Sequence, residues 1–136
     1  MKTQLLRASL VAVLAAASAF AQSSTSLKVN VPFDFIVGNQ TLHAGQYTVD
    51  RGTAPGAVIL KSAQGKGAAI AMGQALESIT SRNNGRLVFH RYGAAYFLSE
   101  VWGAGNHGRK LPTSSREREM AAKVSPPQNA ILAAAR

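Results

Sequence analysis

Cysteine is absent from the chain. Disulfides, thiolate zinc sites and thiol nucleophiles are therefore excluded, and so is a lipoprotein anchor on an N-terminal cysteine. Acidic residues are also few, six against fifteen Lys and Arg, which leaves few carboxylate pairs for glycosidase chemistry. Asp50 and Glu119 are expected to have the basic neighbours Lys28 and Lys123, which leaves Glu77 and Glu100 as the free candidates. The G-x-S-x-G and H-E-x-x-H motifs of hydrolases and metalloproteases do not occur.

Long apolar runs are also lacking, apart from one near the start of the chain. That run, residues 8–17, has about ten residues, whereas a membrane-spanning helix needs roughly 20. Lys2 and Arg7 precede it, and the small-x-small sequence Ala19-Phe20-Ala21 follows it. This pattern predicts a cleavable secretory signal peptide over residues 1–21. The mature protein is then expected in the periplasm or outside the cell, as a basic protein with a net charge of +7.

Alternation of apolar residues, broken only at Ile36, predicts a strand over residues 27–37, followed by a turn at Gly38-Asn39 and a second strand to residue 50. The turn pairs Phe35 with Leu42. The alternation then changes phase, and we place a β-bulge at Ala44-Gly45 to restore it. The expected partners that follow from this register are Val31 with Tyr47, Val29 with Val49, Lys28 with Asp50, and Asp34 with His43.

Two further hairpins are predicted. Residues 57–62 and 67–76 form one of them, and a three-residue loop with a left-handed Gly65 pairs Leu60 with Ala68. A two-residue turn would instead pair Leu60 with Ala69. Residues 86–92 and 95–102 form the other, with Gly93-Ala94 as a type II′ turn. Val101 is expected on the face of Val88 and His90, and Trp102 on the face of Leu87 and Phe89. Both faces are apolar, so this hairpin is expected at the centre of a sheet.

The composition changes after Trp102. Residues 103–108 are expected as a glycine loop, and Ser114 as the N-cap of a short helix over 116–124, with Glu117 completing a capping box. Residues 128–136 are expected as a flexible, alanine-rich tail. The prediction is an all-β fold, a small antiparallel barrel or sandwich of about six strands in three hairpins with a short C-terminal helix. Its β domain covers residues 22–105, and the basic loop, helix and tail cover 106–136.

No catalytic, cofactor or metal site is predicted. Residues 103–108 match G-x-G-x-x-G, but Arg109-Lys110-Leu111-Pro112 does not open the helix that a dinucleotide site needs. The histidines lack metal-ligand spacing, and His90 alternates with apolar residues as a packed side chain does. The large aromatic side chains are expected in the core rather than on a ligand-binding face: Tyr47, Tyr92, Tyr96 and Trp102.

Positive charge is concentrated near the C-terminus. Residues 106–136 carry +4, while the longer segment 22–105 carries +3. The candidates for binding anions are Arg109, Lys110, Arg116 and Arg118. Export makes anionic envelope polymers or lipid headgroups the expected partners, and nucleic acid is not expected. The leading hypothesis is thus an exported non-enzymatic protein that binds anionic envelope material. The alternatives are a small β-barrel carrier of an apolar ligand, which a large apolar cavity would favour, and a secreted enzyme of unrecognised type.

Three stretches carry a resemblance to known proteins: VPFDFIVGNQTLHAGQYTV (31–49), LVFHRYGAAYFLSEVW (87–102) and GRKLPTSSREREMA (108–121). Together they resemble a family of small secreted β-rich proteins of soil bacteria. The resemblance covers most of the predicted mature chain. It implies export and a common β-rich fold, and it implies no catalytic or binding residues.

The signal-peptide prediction is checked by the intact mass of the protein exported by its own host. We expect a chain that begins at Gln22, because signal peptidase cuts after a small-x-small sequence. Protein that retains residues 1–21 after export would contradict it.

Overall fold

The structure, a computed structural model, describes residues 26–65, 67–124 and 127–133. The predicted signal peptide lies outside these ranges. Two open sheets and one short helix make up the described residues, which confirms an all-β sandwich with a C-terminal helix. Its elements, in chain order, are β1 Leu27–Val31, β2 Phe35–Val37, β3 Gln40–Leu42, β4 Gly45–Arg51, β5 Ala57–Ser62, β6 Ala68–Met72, β7 Gln74–Arg82, β8 Arg86–Tyr92, β9 Ala95–Trp102, β10 Gly105–Lys110, α1 Ser115–Lys123 and β11 Gln128–Ala133.

The first sheet has the order β1-β4-β5-β6 and is antiparallel throughout. The second has the order β11-β8-β9-β10-β7, and the β2–β3 hairpin joins it through a parallel pairing of Ile36 with Phe97. The core lies between the sheets, because apolar residues occupy alternate positions on their inner faces. Its fully buried members are Val31, Phe35, Leu60, Leu87 and Phe89. Among the described residues, no helix has the length and apolar character to span a membrane.

The first predicted strand is broken at residues 32–34. Phe35 pairs with Leu42 as expected, but Val29 pairs with Tyr47 and Leu27 with Val49, so the predicted bulge at Ala44-Gly45 is wrong. The extra residue lies on the first strand instead, where Pro32 has no N–H to donate to a ladder. The Asp34 Oδ1 atom accepts a hydrogen bond from the Ala44 N–H at 2.8 Å, which holds the break.

Two consequences of this register concern the predicted charge pairs. Lys28 lies opposite Thr48 rather than Asp50, so that expected pair does not form. Asp34 and His43 do come together, with 3.7 Å between Oδ2 and Nδ1, on an exposed surface. The break also lets β2 leave the first sheet and join the second.

The second hairpin adopts the alternative register, with Leu60 opposite Ala69, and the preferred pairing with Ala68 is wrong. Gly65 has the predicted positive φ, +72°. The second strand does not run to residue 76, because the chain crosses to the other sheet at Gly73. A Cβ atom at Gly73 would lie 3.1 Å from the Lys110 carbonyl oxygen, so a bare backbone suits this close crossing.

The third hairpin forms as predicted and lies between β11 and β10. Gly93 has a φ of +60°, as the first central residue of a type II′ turn requires. A register shift follows the pairing of Phe89 with Leu98. It places Val101 opposite Leu87 in the main core and Trp102 on the other face, so the faces predicted for Val101 and Trp102 are exchanged.

The C-terminal region contributes to the second sheet. Part of the expected glycine loop forms β10, which lies between β9 and β7. Residues 128–133, which were expected as a flexible tail, form β11, which pairs with β8. The helix forms as predicted, with the Ser114 hydroxyl accepting a hydrogen bond from the Glu117 N–H at 3.1 Å. Truncation after Gly105 would therefore remove two strands of the sheet, so it does not isolate a basic tail.

Gly108 provides a test of how the second sheet is packed. A Cβ atom there would lie 2.5 Å from the indole ring of buried Trp102. We expect Gly108→Ala to destabilise the protein by about 1–3 kcal/mol, because the indole would have to move. Gly103→Ala is the matched control, since a Cβ atom there has no neighbour within 4 Å. Equal melting temperatures for the two variants would contradict the packing described here.

Candidate functional site

A cleft opens between the two sheets at one end of the sandwich, with a volume of about 710 Å³. It lies where β1 begins, where β4 and β9 end, and where β5 and β7 start. Side chains that belong to or border the hydrophobic core form its floor, namely Leu27, Val49, Val58 and Val101. The volume falls within the roughly 300–1,000 Å³ of small-molecule sites.

Two arginines face the cleft from opposite sheets. Arg51 lies opposite Val58 on β5, and paired residues of antiparallel strands share a face, so Arg51 is on the inner face of the first sheet. Arg109 lies opposite Val101 on β9 and is therefore on the inner face of the second. Both line the cleft. Charged groups thus come from both sheets beside an apolar floor.

A histidine and a carboxylate share the inner face of the second sheet with Arg109. Glu77 on β7 lies opposite His107 on β10, and its Oε1 atom is 3.7 Å from the His107 Nδ1 atom. The two side chains are 75% and 63% exposed, so they form part of the open rim of the cleft. Solvent screens a pair this exposed, so its contribution to stability is small.

The inward-facing positions of the cleft carry more positive than negative charge. Among the described side chains, three pairs of a basic and an acidic group have a nitrogen within 4.0 Å of an oxygen, and each pair joins a histidine to a carboxylate. Arg51 and Arg109 therefore have no carboxylate within that distance in the described part of the chain. Asp50 also borders the cleft, but it lies opposite Ile59 and so belongs to the outer face of its sheet. Two arginines thus face inward against one carboxylate, Glu77, which has its own partner.

A second polar cluster lies on the other side of the second sheet, under α1. Glu117 is 5% exposed, and its Oε1 atom is 2.7 Å from the His90 Nδ1 atom and accepts a hydrogen bond from the Tyr92 hydroxyl at 3.1 Å. Burial, and then the charge and hydrogen bond of Glu117, raise the pKa of Tyr92 above its usual value. Met120 packs against Ile36, Tyr92 and Phe97 beside this cluster. These contacts fix α1 on the sheet, so the cluster positions the helix.

The four predicted anion-binding residues do not form one site in the structure. Arg109 faces the cleft, whereas Lys110 is exposed on the other face of the same strand, opposite Glu100. Arg116 donates a hydrogen bond to the Thr41 hydroxyl at 3.1 Å, and Arg118 is exposed on α1. Arg109 is thus separated from the other three by the thickness of the sheet.

The packing confirms the expectations for the large aromatic residues and for His90. Tyr47, Tyr92 and Trp102 are buried, and Tyr96 stacks on Phe33 with 3.7 Å between ring centroids. His90 is partly buried against Glu117. The G-x-G-x-x-G segment continues into β10 rather than into a helix. Over residues 26–65, 67–124 and 127–133, no group of three His, Asp or Glu side chains is placed to hold a metal ion.

Arg51 is the cleft residue that the sequence argument missed. The signal was present, because Tyr47, Val49 and Arg51 are alternate residues of one strand, and the first two are core residues. An arginine that continues a buried face at the end of a strand marks the point where the core opens to solvent.

Comparison with known proteins adds nothing to this geometry. No family model matches the chain, and no curated protein or solved structure matches it.

The buried tyrosines predict how stability depends on alkaline pH. Burial raises the pKa of Tyr92 and, with the charge of Asp34, the pKa of Tyr47. A pKa that is higher in the folded state means that folding favours the neutral phenol. The contribution of these tyrosines to the free energy of unfolding is therefore complete below about pH 10 and is lost as the pH rises further. We expect Tyr92→Phe to lower the free energy of unfolding by about 1 kcal/mol at neutral pH and to reduce its decline above pH 10.

Urea unfolding at a series of pH values measures this effect. Tyr96→Phe is the matched control, because it removes a hydroxyl that makes no hydrogen bond to Glu117. If Tyr92→Phe and the unmodified protein lose stability equally above pH 10, the assigned contact between Tyr92 and Glu117 is wrong.

Proposed function

We propose that the protein is an exported ligand-binding module that takes an amphipathic anion into the cleft between its sheets. The hydrocarbon part of the ligand lies on the floor formed by Leu27, Val49, Val58 and Val101, and the anionic head lies between Arg51 and Arg109. The observation that carries the proposal is that two arginines from opposite sheets face inward beside this apolar floor.

The floor supports binding of an apolar group. Val49, Val58 and Val101 belong to the main core and approach the cleft from three different strands, β4, β5 and β9. A hydrocarbon chain that lies on this floor is stabilised by about 25 cal/mol for each Å² of its own surface that it removes from water. A ligand with an apolar part is thus favoured over a sugar or a free inorganic anion.

The arginines support an anionic head group. The planar guanidinium group presents donors that match carboxylate and phosphate oxygens in pairs. Arg109 is partly buried, and Arg51 is exposed at the mouth, so a head group reaches them without entering the core. Neither has a carboxylate within 4.0 Å among the described side chains, so an anion does not have to displace one.

This proposal joins two hypotheses from the sequence. An anionic partner was expected, but at the C-terminal tail, and an apolar ligand was the alternative. The cleft combines the two chemistries at one site, with Arg109 as the shared residue. Secretory export, predicted from residues 1–21, makes a fatty acid or a phospholipid of the cell envelope the expected source. These two sources share an anionic head and a hydrocarbon chain.

Calorimetric titration with decanoate tests the proposal. We expect saturable binding that weakens as salt rises from about 0.1 M to about 1 M, because salt screens the head group from the arginines. Arg109→Gln and Arg51→Gln are each expected to weaken it by about tenfold, as the loss of one charge-assisted hydrogen bond does. Arg118→Gln is the matched control, because Arg118 is exposed on α1.

Two further probes define the ligand. Decyl maltoside has a similar chain without charge, and butanoate has the charge without the chain, so we expect both to bind more weakly than decanoate. A lysophospholipid that binds more tightly than decanoate would identify the phospholipid as the source. Equal affinity of all three arginine variants, or of decanoate and decyl maltoside, would contradict the proposal.

A further inference from the structure

The strand β6 forms one edge of the first sheet and has an apolar composition. Its residues, Ala68 to Met72, include no charged side chain, and Ile70 and Met72 are 72% and 53% exposed. Natural edge strands are protected from pairing with other chains by charges, prolines, bulges or a covering segment. The edge strands β1 and β7 carry Lys28 and Glu77. The apolar composition of β6 thus lacks the charge that protects those two edges.

The ladder with β5 determines which backbone groups of β6 are free. The Ser62 N–H bonds to the Gly67 carbonyl at 2.8 Å, and the Gly73 N–H bonds to the Gly56 carbonyl at 2.9 Å. Both bonds fit the observed register, in which hydrogen-bonded pairs alternate along the strand. Ala69 and Ala71 are therefore bonded to β5, and the N–H and C=O groups of Ala68, Ile70 and Met72 point away from it.

One of these groups already has a partner within the chain. The Gln40 side-chain amide donates to the Ala68 carbonyl at 2.7 Å. It shows that the outward carbonyls are in position to accept hydrogen bonds from a donor beyond the edge. Among the described residues, Ile70 and Met72 have β5 as the one strand beside them, and their outward groups lie on the side opposite to it.

We propose that β6 pairs with β6 of a second copy of this chain in antiparallel orientation, with Ile70 at a two-fold axis. In this register Ile70 lies opposite Ile70 of the second copy, and Ala68 lies opposite Met72 of the second copy. The outward-facing groups of the two copies then pair with each other, because the three residues are spaced two apart and are symmetric about Ile70. At the Ala68 carbonyl, the Met72 N–H of the second copy takes the place of the Gln40 side-chain amide. A strand that presents its free groups symmetrically about one residue is self-complementary, as a two-fold interface requires.

The side chains favour the same arrangement. Ile59 lies opposite Ile70 on the outer face of the sheet and is half-buried. Pairing across the axis extends this apolar row into the second copy, so the exposed Ile70 and Met72 side chains gain cross-strand neighbours. No charged residue of β6 opposes the approach.

The size and charge of the interface set its strength. Five residues a side bury much less than the roughly 1,600 Å² of a standard stable interface, so the dimer is weak and depends on protein concentration. Each copy carries a net positive charge, and the copies repel one another. Salt screens that repulsion, so dimerisation strengthens as salt rises. Binding of an anion to the cleft has the opposite salt dependence, so the two proposals fail or succeed separately.

Sedimentation velocity over a range of protein concentrations tests the proposal, at about 0.1 M and about 1 M salt. We expect a monomer–dimer equilibrium that shifts toward the dimer at the higher salt. Ile70→Lys should remain monomeric, because two ammonium groups would meet at the axis. Ile79→Lys is the matched control, since Ile79 is fully exposed on β7 and receives the same substitution.

Amide hydrogen exchange locates the interface in the unmodified protein. The Ile70 and Met72 amides should exchange more slowly as the protein concentration rises, while the Ile79 amide should not change. The melting temperature of Ile70→Lys shows whether this variant is folded. Protein that stays monomeric at the highest concentration, a dimer that Ile70→Lys leaves intact, or concentration-dependent protection confined to other strands would overturn the proposal.

Discussion

Contact between the inner faces of the two sheets is the constraint on which the rest of the structure depends. Neither sheet is stable alone, because each has one apolar face that must be removed from water. Val31 and Leu60 of the first sheet are fully buried against Leu87 and Phe89 of the second. To supply strands to both sheets the chain must cross between them, and it does so three times, at residues 32–34, at residues 43–44 and at Gly73. The cleft is the end of this contact, where inward-facing positions carry Arg51 and Arg109 instead of apolar side chains.

Local signals in the sequence were sufficient wherever a feature depends on adjacent residues. The Gly93-Ala94 turn, the Ser114 cap and the pairing of Phe35 with Leu42 each follow from side chains a few positions apart. The bulge was placed on the wrong strand because a phase change shows that one residue is extra and does not show which strand holds it. The register at Leu60 was ambiguous for a related reason, since neighbouring alanines at 68 and 69 fit an inner face equally well.

Features that depend on distant residues were not predictable in this way. Residues 105–110 and 128–133 lack the strong apolar alternation of a strand, and they become strands because β9 and β8 offer unpaired backbone groups beside them. Tertiary context also decided the candidate site. Arg109 was identified by its charge, but its position in a cleft depends on the strand opposite, and Arg51 was overlooked because its sheet had no assigned partner.

The buried Glu117 has a consequence for how the chain completes its fold. Seventeen residues separate the end of β10 at Lys110 from the start of β11 at Gln128. The bonds of Glu117 to His90 and Tyr92 hold α1 on β8, the strand that β11 must find. The chain then closes two short loops instead of one long loop. The conformational entropy that is lost when the last strand pairs is therefore smaller. The helix therefore keeps the chain close to the sheet edge where β11 pairs. The contacts of one carboxylate hold the helix there, rather than a large apolar surface.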